Sequence, residues 1–333
     1  MSRTIKLSIG VIISVIGVWW SMHDVDLHQV WEVLSRANYL GFAAVILCTV
    51  LGFWIRAVRW RWLFGARKVG LDSLFSATMI GFMANNVLPL RLGEFVRAWA
   101  LARRESLSKT TVFATVIVER IVDMLTLLAI FGIALLTRPI GRDSPAWEIT
   151  RRGAIALMVL SAGFTVFMVV LERQPHLMRG LIERIAHLLP ERHRARAVRA
   201  LDHFVEGLSL FRDVPRLLWV FLLSFIMFGM FALALQVSLW ALSITAPWDA
   251  GLTMLVITAI GIMVPAAPGY IGTMNAACVA GLLLFGVGKD QSVPFSWFYW
   301  AGQWIPVTAL GLFYLRREGL SLRSLGQAQE GTA

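Results

Sequence analysis

Charged residues, a proline and a glycine interrupt an otherwise apolar stretch between residues 73 and 102. The interrupting residues are Asn86, Pro89, Arg91, Gly93, Glu94 and Arg97. Guanidinium groups hold phosphate through charge-assisted hydrogen bonds, so Arg91 and Arg97 are candidate ligands for an anionic group. Glu94 can neutralise these arginines, or bind a cation or a proton, when no anion is present. The pattern therefore indicates reversible binding of a charged group.

A second group of ionisable residues, Glu119, Arg120 and Asp123, lies inside the apolar run 110–136. Glu119 and Asp123 are four residues apart and share one face of a helix. Ionisable groups in hydrocarbon are costly unless they are paired or face a cavity. Two interpretations follow: these residues bind a ligand together with Arg91 and Arg97, or all of them form a buried ion-pair network that only holds the structure.

Two further arginines, Arg56 and Arg59, lie at the end of the apolar run 39–62 and alternate with tryptophans. They are three residues apart and share a helical face. One interpretation is an interface belt, in which arginine and tryptophan anchor a helix end at the membrane surface. The other is that both guanidiniums bind headgroup phosphates.

Proline and glycine break the apolar pattern again near residue 265, this time without an ionisable residue. This second break comprises Pro265, Pro268, Gly269 and Gly272. Together with Pro89 and Gly93 of the first break, they are interpreted as shaping residues, because proline removes a backbone donor and glycine permits a sharp reversal. Asn85 and Asn86 are expected to satisfy backbone carbonyls at the first break more than to contact a ligand.

Composition restricts the class of protein. Of 333 residues, 58% are hydrophobic and 15% charged, and the mean hydropathy is +0.70, which is typical of a polytopic membrane protein. The net charge of +11 comes from basic residues in short loops, so lipid headgroups rather than nucleic acid are the expected partners. Neither the six histidines nor the two cysteines follow a catalytic or metal-binding spacing, so we expect no enzyme, metal or cofactor.

The sequence predicts an all-helical membrane protein with six transmembrane helices and two oppositely oriented re-entrant helical hairpins that form an inverted repeat. Each span has roughly 20 mainly apolar residues. The spans are 4–22, 39–62, 110–136, 153–171, 217–242 and 293–315, and the hairpins are 73–102 and 252–287. One membrane domain, 1–333, is divided into 1–72 (spans 1 and 2), 73–137 (first hairpin and span 3), 153–216 (span 4 and an arginine-rich amphipathic segment), 217–317 (span 5, second hairpin and span 6) and 318–333 (tail).

The distribution of lysine and arginine predicts the orientation. If the N-terminus is cytoplasmic and each hairpin returns to the side it came from, 23 of the 31 basic residues lie on the cytoplasmic side and six outside. This asymmetry predicts that both termini are cytoplasmic, in a bacterial inner membrane. The first apolar run lacks a small-residue cleavage site and is expected to remain as an uncleaved span.

The combined motifs resemble the flippase-like transmembrane family, which includes the membrane part of lysylphosphatidylglycerol synthases and UPF0104-like proteins. The residues that carry the resemblance are Asn86, Pro89, Arg91, Gly93, Glu94, Arg97, Glu119, Arg120, Asp123, Pro265, Pro268, Gly269 and Gly272. The resemblance covers nearly the whole chain and implies movement of a lipid or lipid-linked substrate between leaflets. About sixteen residues follow Arg317, so we expect a stand-alone member without the soluble aminoacyl-transferase domain. The chain has Asn275 where many relatives place an acid.

The expected function is therefore that of a flippase for a phospholipid or a lipid-linked intermediate of polyprenyl, hopanoid or glycolipid type. A cavity lined by paired charges would lower the cost of moving a polar headgroup through hydrocarbon. The alternative is a non-catalytic membrane partner of a lipid-modifying enzyme or glycosyltransferase. A membrane-embedded enzyme is the third class considered, and the histidine pattern disfavours it.

Overall fold

The computed structural model describes residues 3–23, 25–65, 67–88, 92–137, 213–264 and 266–321, with a few isolated positions between 152 and 166. All regular structure in these residues is helical, as predicted. The predicted fourth span, 153–171, and nearly all of the arginine-rich segment, 172–216, lie outside the described residues. The helices are α1 (Arg3–Met22), α2 (Leu27–Ser35), α3 (Tyr39–Leu63), α4 (Leu71–Val87), α5 (Gly93–Arg104), α6 (Lys109–Thr137), α7 (Val214–Ala241), α8 (Ala250–Met263), α9 (Thr273–Leu283) and α10 (Lys289–Arg317), with a 3-10 turn at Pro268–Tyr270.

Two of the described helices, α3 and α7, are long and apolar enough to cross a membrane. Helices α6 and α10 each have 29 residues; α6 carries Glu119, Arg120 and Asp123 within its apolar run, whereas the charges of α10 lie at its two ends. The short helix α2 begins where Asp26 accepts a hydrogen bond from the backbone N–H of His28 at 2.8 Å, which satisfies one donor at the helix start. The helices that the sequence predicts in the described residues are therefore present, with ends that differ by a few residues.

The order and lengths of the helices repeat along the chain. A shift of about 180 residues places Lys109–Thr137 on Lys289–Arg317 and Gly93–Arg104 on the start of α9. The same shift places α4 on α8 and α3 on α7. The chain therefore contains two copies of one pattern: a long helix, a broken pair of shorter helices, and a second long helix.

The two broken pairs share a specific close contact between their helices. A Cβ atom on Gly81 would lie 2.6 Å from Cβ of Arg97 and 2.8 Å from the carbonyl oxygen of Gly93. A Cβ atom on Gly261 would meet the Cβ atom of Ala277 and lie 3.1 Å from the carbonyl oxygen of Thr273. In each pair these contacts fall twelve and sixteen residues after the glycine. Both pairs are therefore antiparallel helical hairpins with the same internal register, here called hairpin 1 (α4–α5) and hairpin 2 (α8–α9).

Helices α3 and α7, which occupy equivalent places in the two copies, run antiparallel. Near the start of α3 the backbone N–H of Asn38 donates to the carbonyl of Ala241, at 2.8 Å. Further along, Gly52 faces the ring of Phe231. Since later residues of α3 meet earlier residues of α7, these two equivalent helices point in opposite directions.

The chain divides into two compact units. Unit 1 comprises Met1–Ile55, Ser76–Arg97 and Ile226–Ala333, and it contains both hairpin tips. Within it, α9 packs against α1, α8 and α10, and α10 also packs against α2. Unit 2 comprises Arg56–Phe75 and Ala98–Phe225, and its described core includes the fully buried Trp60 and Leu101. Each unit contains one group of the predicted site residues.

Candidate functional site

A cluster of five charged side chains lies inside unit 2. Arg56 and Arg59 come from α3, and Glu119, Arg120 and Asp123 come from α6; we call these residues the charge cluster. Nη1 of Arg56 donates to Glu119 at 2.7 Å and to Asp123 at 2.9 Å. Nη1 of Arg59 lies 2.7 Å from Asp123, and its Nη2 lies 3.3 Å from Glu119. Each carboxylate is thus shared by two arginines from the neighbouring helix.

Hydrogen bonds to neutral side chains also link the helices that carry the charge cluster. Nε1 of Trp60 donates to Oγ1 of Thr115 at 2.9 Å, one turn beyond the ion pairs, and sets the register of α3 against α6. Nη1 of Arg59 also donates to Oγ of Ser224 on α7 at 2.7 Å. The cluster is therefore linked to three helices, α3, α6 and α7.

Burial differs sharply within the charge cluster. The side chains of Arg59 and Glu119 are fully buried, and those of Arg56 and Asp123 are 6% and 8% exposed. Arg120 is 40% exposed, and its nitrogens lie 3.4 Å from Asp123 and 3.8 Å from Glu119. The cluster contains three guanidiniums and two carboxylates, and Arg120 lies at its exposed side.

Hairpin 1 in unit 1 contains the other predicted charged residues. Oδ1 of Asn85 accepts a hydrogen bond from the backbone N–H of Gly93 at 2.7 Å and satisfies a donor at the start of α5. Glu94 is half-buried and Arg97 is fully buried, one turn apart on α5. Asn86 donates through Nδ2 to Oγ1 of Thr308 on α10 at 3.0 Å, so the structure anchors it to protein. Pro89 and Arg91 lie outside the described residues.

Hairpin 2 has a tip built from unusual backbone conformations. Gly269, Tyr270 and Gly272 have φ values of +75°, +59° and +89°. Positive φ is costly for residues with a side chain, which explains the glycines and marks Tyr270 as strained. The Oδ1 atom of Asn275 accepts from the backbone N–H of Gly272 at 3.1 Å, as Asn85 does for Gly93. Pro265 lies outside the described residues, and Pro268 begins the 3-10 turn.

The tips of the two hairpins meet inside unit 1. A Cβ atom on Gly269 would lie 3.4 Å from the backbone carbonyl oxygen of Asn86. The carbonyl of Gly269 in turn accepts a hydrogen bond from Nε1 of Trp300 on α10, at 2.8 Å. Helix α1 supports the other side, where Oγ of Ser14 accepts from the backbone N–H of Ala267 at 2.7 Å. The last turn of α4 and the non-helical tip of hairpin 2 thus lie side by side, next to α1 and α10.

Several placements differ from those expected from sequence. Arg56 and Arg59 were expected at an interface, whereas the structure buries both, because each pairs with the carboxylates of α6. The described ion-pair partners of Glu119 and Asp123 are the arginines of α3 and Arg120 of α6. Sequence reasoning also missed Ser224, whose only sequence signal is a hydroxyl in a very apolar helix.

Among the described residues, no three side chains of histidine, cysteine, aspartate or glutamate come together as metal ligands do. The charge cluster instead suits an oxyanion, since guanidinium groups present planar pairs of donors to phosphate or carboxylate. The hairpin tips supply uncharged backbone groups.

Comparison with known proteins gives a match along most of the chain. Residues 7–311 match the sequence model of the lysylphosphatidylglycerol synthase TM region. A UPF0104 membrane protein of Methanothermobacter thermautotrophicus is 25% identical over 316 residues, which cover 86% of this chain and 88% of that protein. A UPF0104 membrane protein of Pyrococcus horikoshii is 26% identical over 176 residues, or 51% of this chain and 48% of that protein.

One similar protein is much longer than the matched region. Glycosyltransferase AglD of Haloferax volcanii is 27% identical over 140 residues, which are 41% of this chain. The match covers only 22% of that glycosyltransferase.

Proposed function

The chain belongs to the family of the lysylphosphatidylglycerol synthase TM region and is a helical membrane protein, and from this premise we propose that it moves a lipid headgroup between membrane leaflets. In this proposal α1, α3, α6, α7 and α10 are spans, residues 153–171 form the sixth, and hairpins 1 and 2 are re-entrant. The protein acts as a transporter rather than an enzyme. Its substrate is a phospholipid or a lipid-linked intermediate of polyprenyl, hopanoid or glycolipid type.

The observation that carries this proposal is the meeting of two hairpin tips whose helices follow the same register. Non-helical backbone in a membrane is tolerated where protein or a water-filled cavity satisfies its polar groups. Paired broken helices in oppositely oriented repeats are a recurring way to build a transport site near the membrane midplane. The antiparallel arrangement of α3 and α7 supports this orientation.

The buried charges support transport over a purely structural role. A headgroup that leaves water loses its hydration, and fixed charges and hydrogen-bond donors along its path offset that cost. Arg97 and Glu94 of hairpin 1, the charge cluster of unit 2, and Arg91 are the proposed headgroup ligands. Asn86, bound to Thr308, shapes the tip of hairpin 1.

The proposed location is the bacterial inner membrane, with both termini in the cytoplasm. The excess of lysine and arginine in the segments assigned to the cytoplasm supports this orientation. In whole cells, cysteines introduced at Ser144 and Lys289 should react with a membrane-impermeant maleimide. Labelling that occurs only after lysis would reverse the orientation.

A second function, as the membrane partner of a glycosyltransferase or other lipid-modifying enzyme, is favoured by one comparison. The matching region in glycosyltransferase AglD is a minor part of that protein, so there a related segment accompanies a longer polypeptide. A partner that only anchors an enzyme would not move lipid by itself.

Reconstitution tests the transport proposal. Liposomes that contain the purified protein and fluorescent phosphatidylglycerol are treated with dithionite, which bleaches only the outer leaflet. Transport predicts that bleaching continues beyond that leaflet, and that Glu94→Gln slows this phase while the exposed control Arg36→Gln does not. The proposal is overturned if the protein melts cooperatively, and is therefore folded, but its liposomes bleach only as far as protein-free liposomes do.

A further inference from the structure

An apolar groove lies in unit 1 between α1 and the tip of hairpin 2. Its volume is about 410 Å³, and its walls include Val11, Val15, Val18 and Trp19 of α1 and Ala267 and Ile271 of the tip. We propose that this groove binds one hydrocarbon chain of the lipid that the protein carries. The inference rests on the proposed transport function and adds a binding site for the apolar part of its substrate.

The α1 side of the groove is one face of the helix. Val11, Val15 and Val18 follow one another at intervals of four and three residues, which places them on the same face. Val11 is 49% exposed and Val15 is 61% exposed, so the groove is open at this face. From Val11 to Trp19 it follows α1 for about 12 Å, within one leaflet of a hydrocarbon layer roughly 30 Å thick. If α1 is a span, a chain in the groove has the direction of a chain in the bilayer.

Close backbone contacts hold α1 against the tip of hairpin 2 beside the groove. A Cβ atom on Gly17 would lie 2.8 Å from the carbonyl oxygen of Gly272, and one on Gly272 would meet the backbone carbonyl of Ser14. Oγ of Ser14 also accepts the backbone N–H of Ala267 at 2.7 Å. The groove is therefore built where a lipid-facing helix touches the non-helical tip.

The chemistry of the lining suits a hydrocarbon chain. None of the residues that line the groove is charged, and the one with a polar side chain, Ser14, is 5% exposed and bonded to the backbone of Ala267. A headgroup placed here would lose its hydration and gain few hydrogen bonds in return. A hydrocarbon chain has no such loss and gains dispersion contacts with the side chains of the groove.

The position of the groove favours the chain of a carried lipid over that of a bulk lipid. Bulk lipid chains meet any exposed apolar residue of a span, such as Ile12 and Ile16, which are both 57% exposed and do not line the groove. The groove instead ends on Ala267 and Ile271, on either side of the 3-10 turn at Pro268–Tyr270. A lipid held there by its chain keeps its headgroup close to the hairpin tips, past which the headgroup moves in the proposed function.

Photo-crosslinking of the full chain in nanodiscs tests the proposal. The probe is phosphatidylglycerol with a diazirine in one acyl chain, diluted in phosphatidylcholine, and mass spectrometry locates its adducts. Adducts at Trp19 should saturate as the fraction of probe rises, and unlabelled phosphatidylglycerol should displace them. Adducts at Ile16 should rise in proportion to the probe, as expected for bulk lipid. Proportional, undisplaced labelling at Trp19 overturns the proposal.

Two variants at adjacent positions of similar exposure sharpen the test. Val15→Trp places an indole in the groove, whereas Ile16→Trp places the same side chain on α1 outside it. Val15→Trp should reduce the saturable adducts at Trp19 by at least about tenfold, and Ile16→Trp should leave them unchanged. Equal losses in both variants, or a loss in neither, overturn the proposal. If Val15→Trp does not melt cooperatively, the labelling of the unmodified protein decides.

Transport measurements separate this inference from the proposed function. If the reconstituted protein moves phosphatidylglycerol but its adducts at Trp19 do not saturate, transport stands and the chain site fails. If the adducts saturate and Val15→Trp removes them, but the protein moves no lipid, the chain site stands and the transport function fails.

Discussion

The charge cluster and its equivalent in the second copy of the helix pattern occupy matching positions but differ in chemistry. The shift that places α6 on α10 puts Tyr299, Trp300 and Gln303 where α6 has Glu119, Arg120 and Asp123. Nε2 of Gln303 donates to the hydroxyl of Tyr299 at 3.3 Å, so a neutral pair replaces two carboxylates. The second copy is thus polar at these positions without any charge.

This difference shows which features the fold requires. Gln236, which corresponds to Arg56, is buried and accepts a hydrogen bond from the backbone N–H of Gly251 at 2.9 Å. Neutral hydrogen bonding therefore suffices to build one copy. Buried ion pairs often add no more stability than neutral replacements, so a gain in folding stability does not by itself explain why the first copy carries charges.

The hairpins show the same contrast on a smaller scale. Both close on a glycine, Gly81 or Gly261, and both tips use an asparagine, Asn85 or Asn275, to accept a backbone N–H. Where hairpin 1 has Arg97 at the close contact, hairpin 2 has alanine. Geometry is shared between the hairpins, and charge belongs to the first.

Removing one carboxylate of the charge cluster should have the largest effect. We expect Glu119→Gln to lower the free energy of unfolding by about 3–5 kcal/mol, because it leaves buried guanidiniums uncompensated. The equivalent change in the neutral copy, Tyr299→Phe, removes one hydrogen bond and should cost about 1 kcal/mol. Denaturant unfolding in micelles measures both, and equal losses would contradict the contrast between the copies.

Adding a methyl group at the hairpin glycines should affect both hairpins alike. In Gly81→Ala the new Cβ would lie 2.6 Å from Cβ of Arg97, and in Gly261→Ala it would meet Ala277. Separating the helices should cost about 1–3 kcal/mol in each case. Gly229→Ala is the control, since a Cβ there meets no atom within 4 Å. The same unfolding assay measures both variants. If only one of them lost stability, the result would argue against a shared register of the two hairpins.

Local sequence patterns were sufficient to predict the helices and the breaks between them. Apolar runs of helical length, and proline with glycine near residues 89 and 268, identify both hairpins, because these residues act on their own backbone. The equal spacing from Gly81 to Arg97 and from Gly261 to Ala277 was also present in the sequence, but it becomes recognisable only when the close contacts are known.

The partners within the charge cluster could not be predicted in this way. Arg56 and Glu119 are separated by 63 residues, and helical periodicity gives the face of each helix but not the helix that it meets. The same arginines beside tryptophans are typical of an interface belt, so their burial depends on long-range packing. The sharing of each carboxylate by two arginines of α3 becomes visible only once these side chains are placed together.

Replacing the asparagines at the two hairpin tips should lower stability by less than the changes above, and by different amounts in the two hairpins. Asn85→Ala removes one hydrogen bond to the start of α5 and should cost about 1–2 kcal/mol. Asn275→Ala should cost more, because Nδ2 of Asn275 also donates to Oγ of Ser296 at 3.1 Å. Asn85→Asp keeps the acceptor and serves as the control. Melting temperatures rank the three variants, and a larger shift for Asn85→Ala would reverse the order expected from the hydrogen bonds.

A substitution at the open end of hairpin 1 should change the free energy of unfolding least. Asp72 and Arg104 form an ion pair there that is 48% and 28% exposed, whereas the shifted positions in hairpin 2 are Leu252 and Leu284. Because solvent screens exposed pairs, Asp72→Asn should cost less than about 1 kcal/mol, and the cost should shrink further in high salt. Unfolding at two salt concentrations measures this. A loss of several kcal/mol that persists in salt would mean that charge at this end, as well as glycine packing at the tip, holds hairpin 1 together.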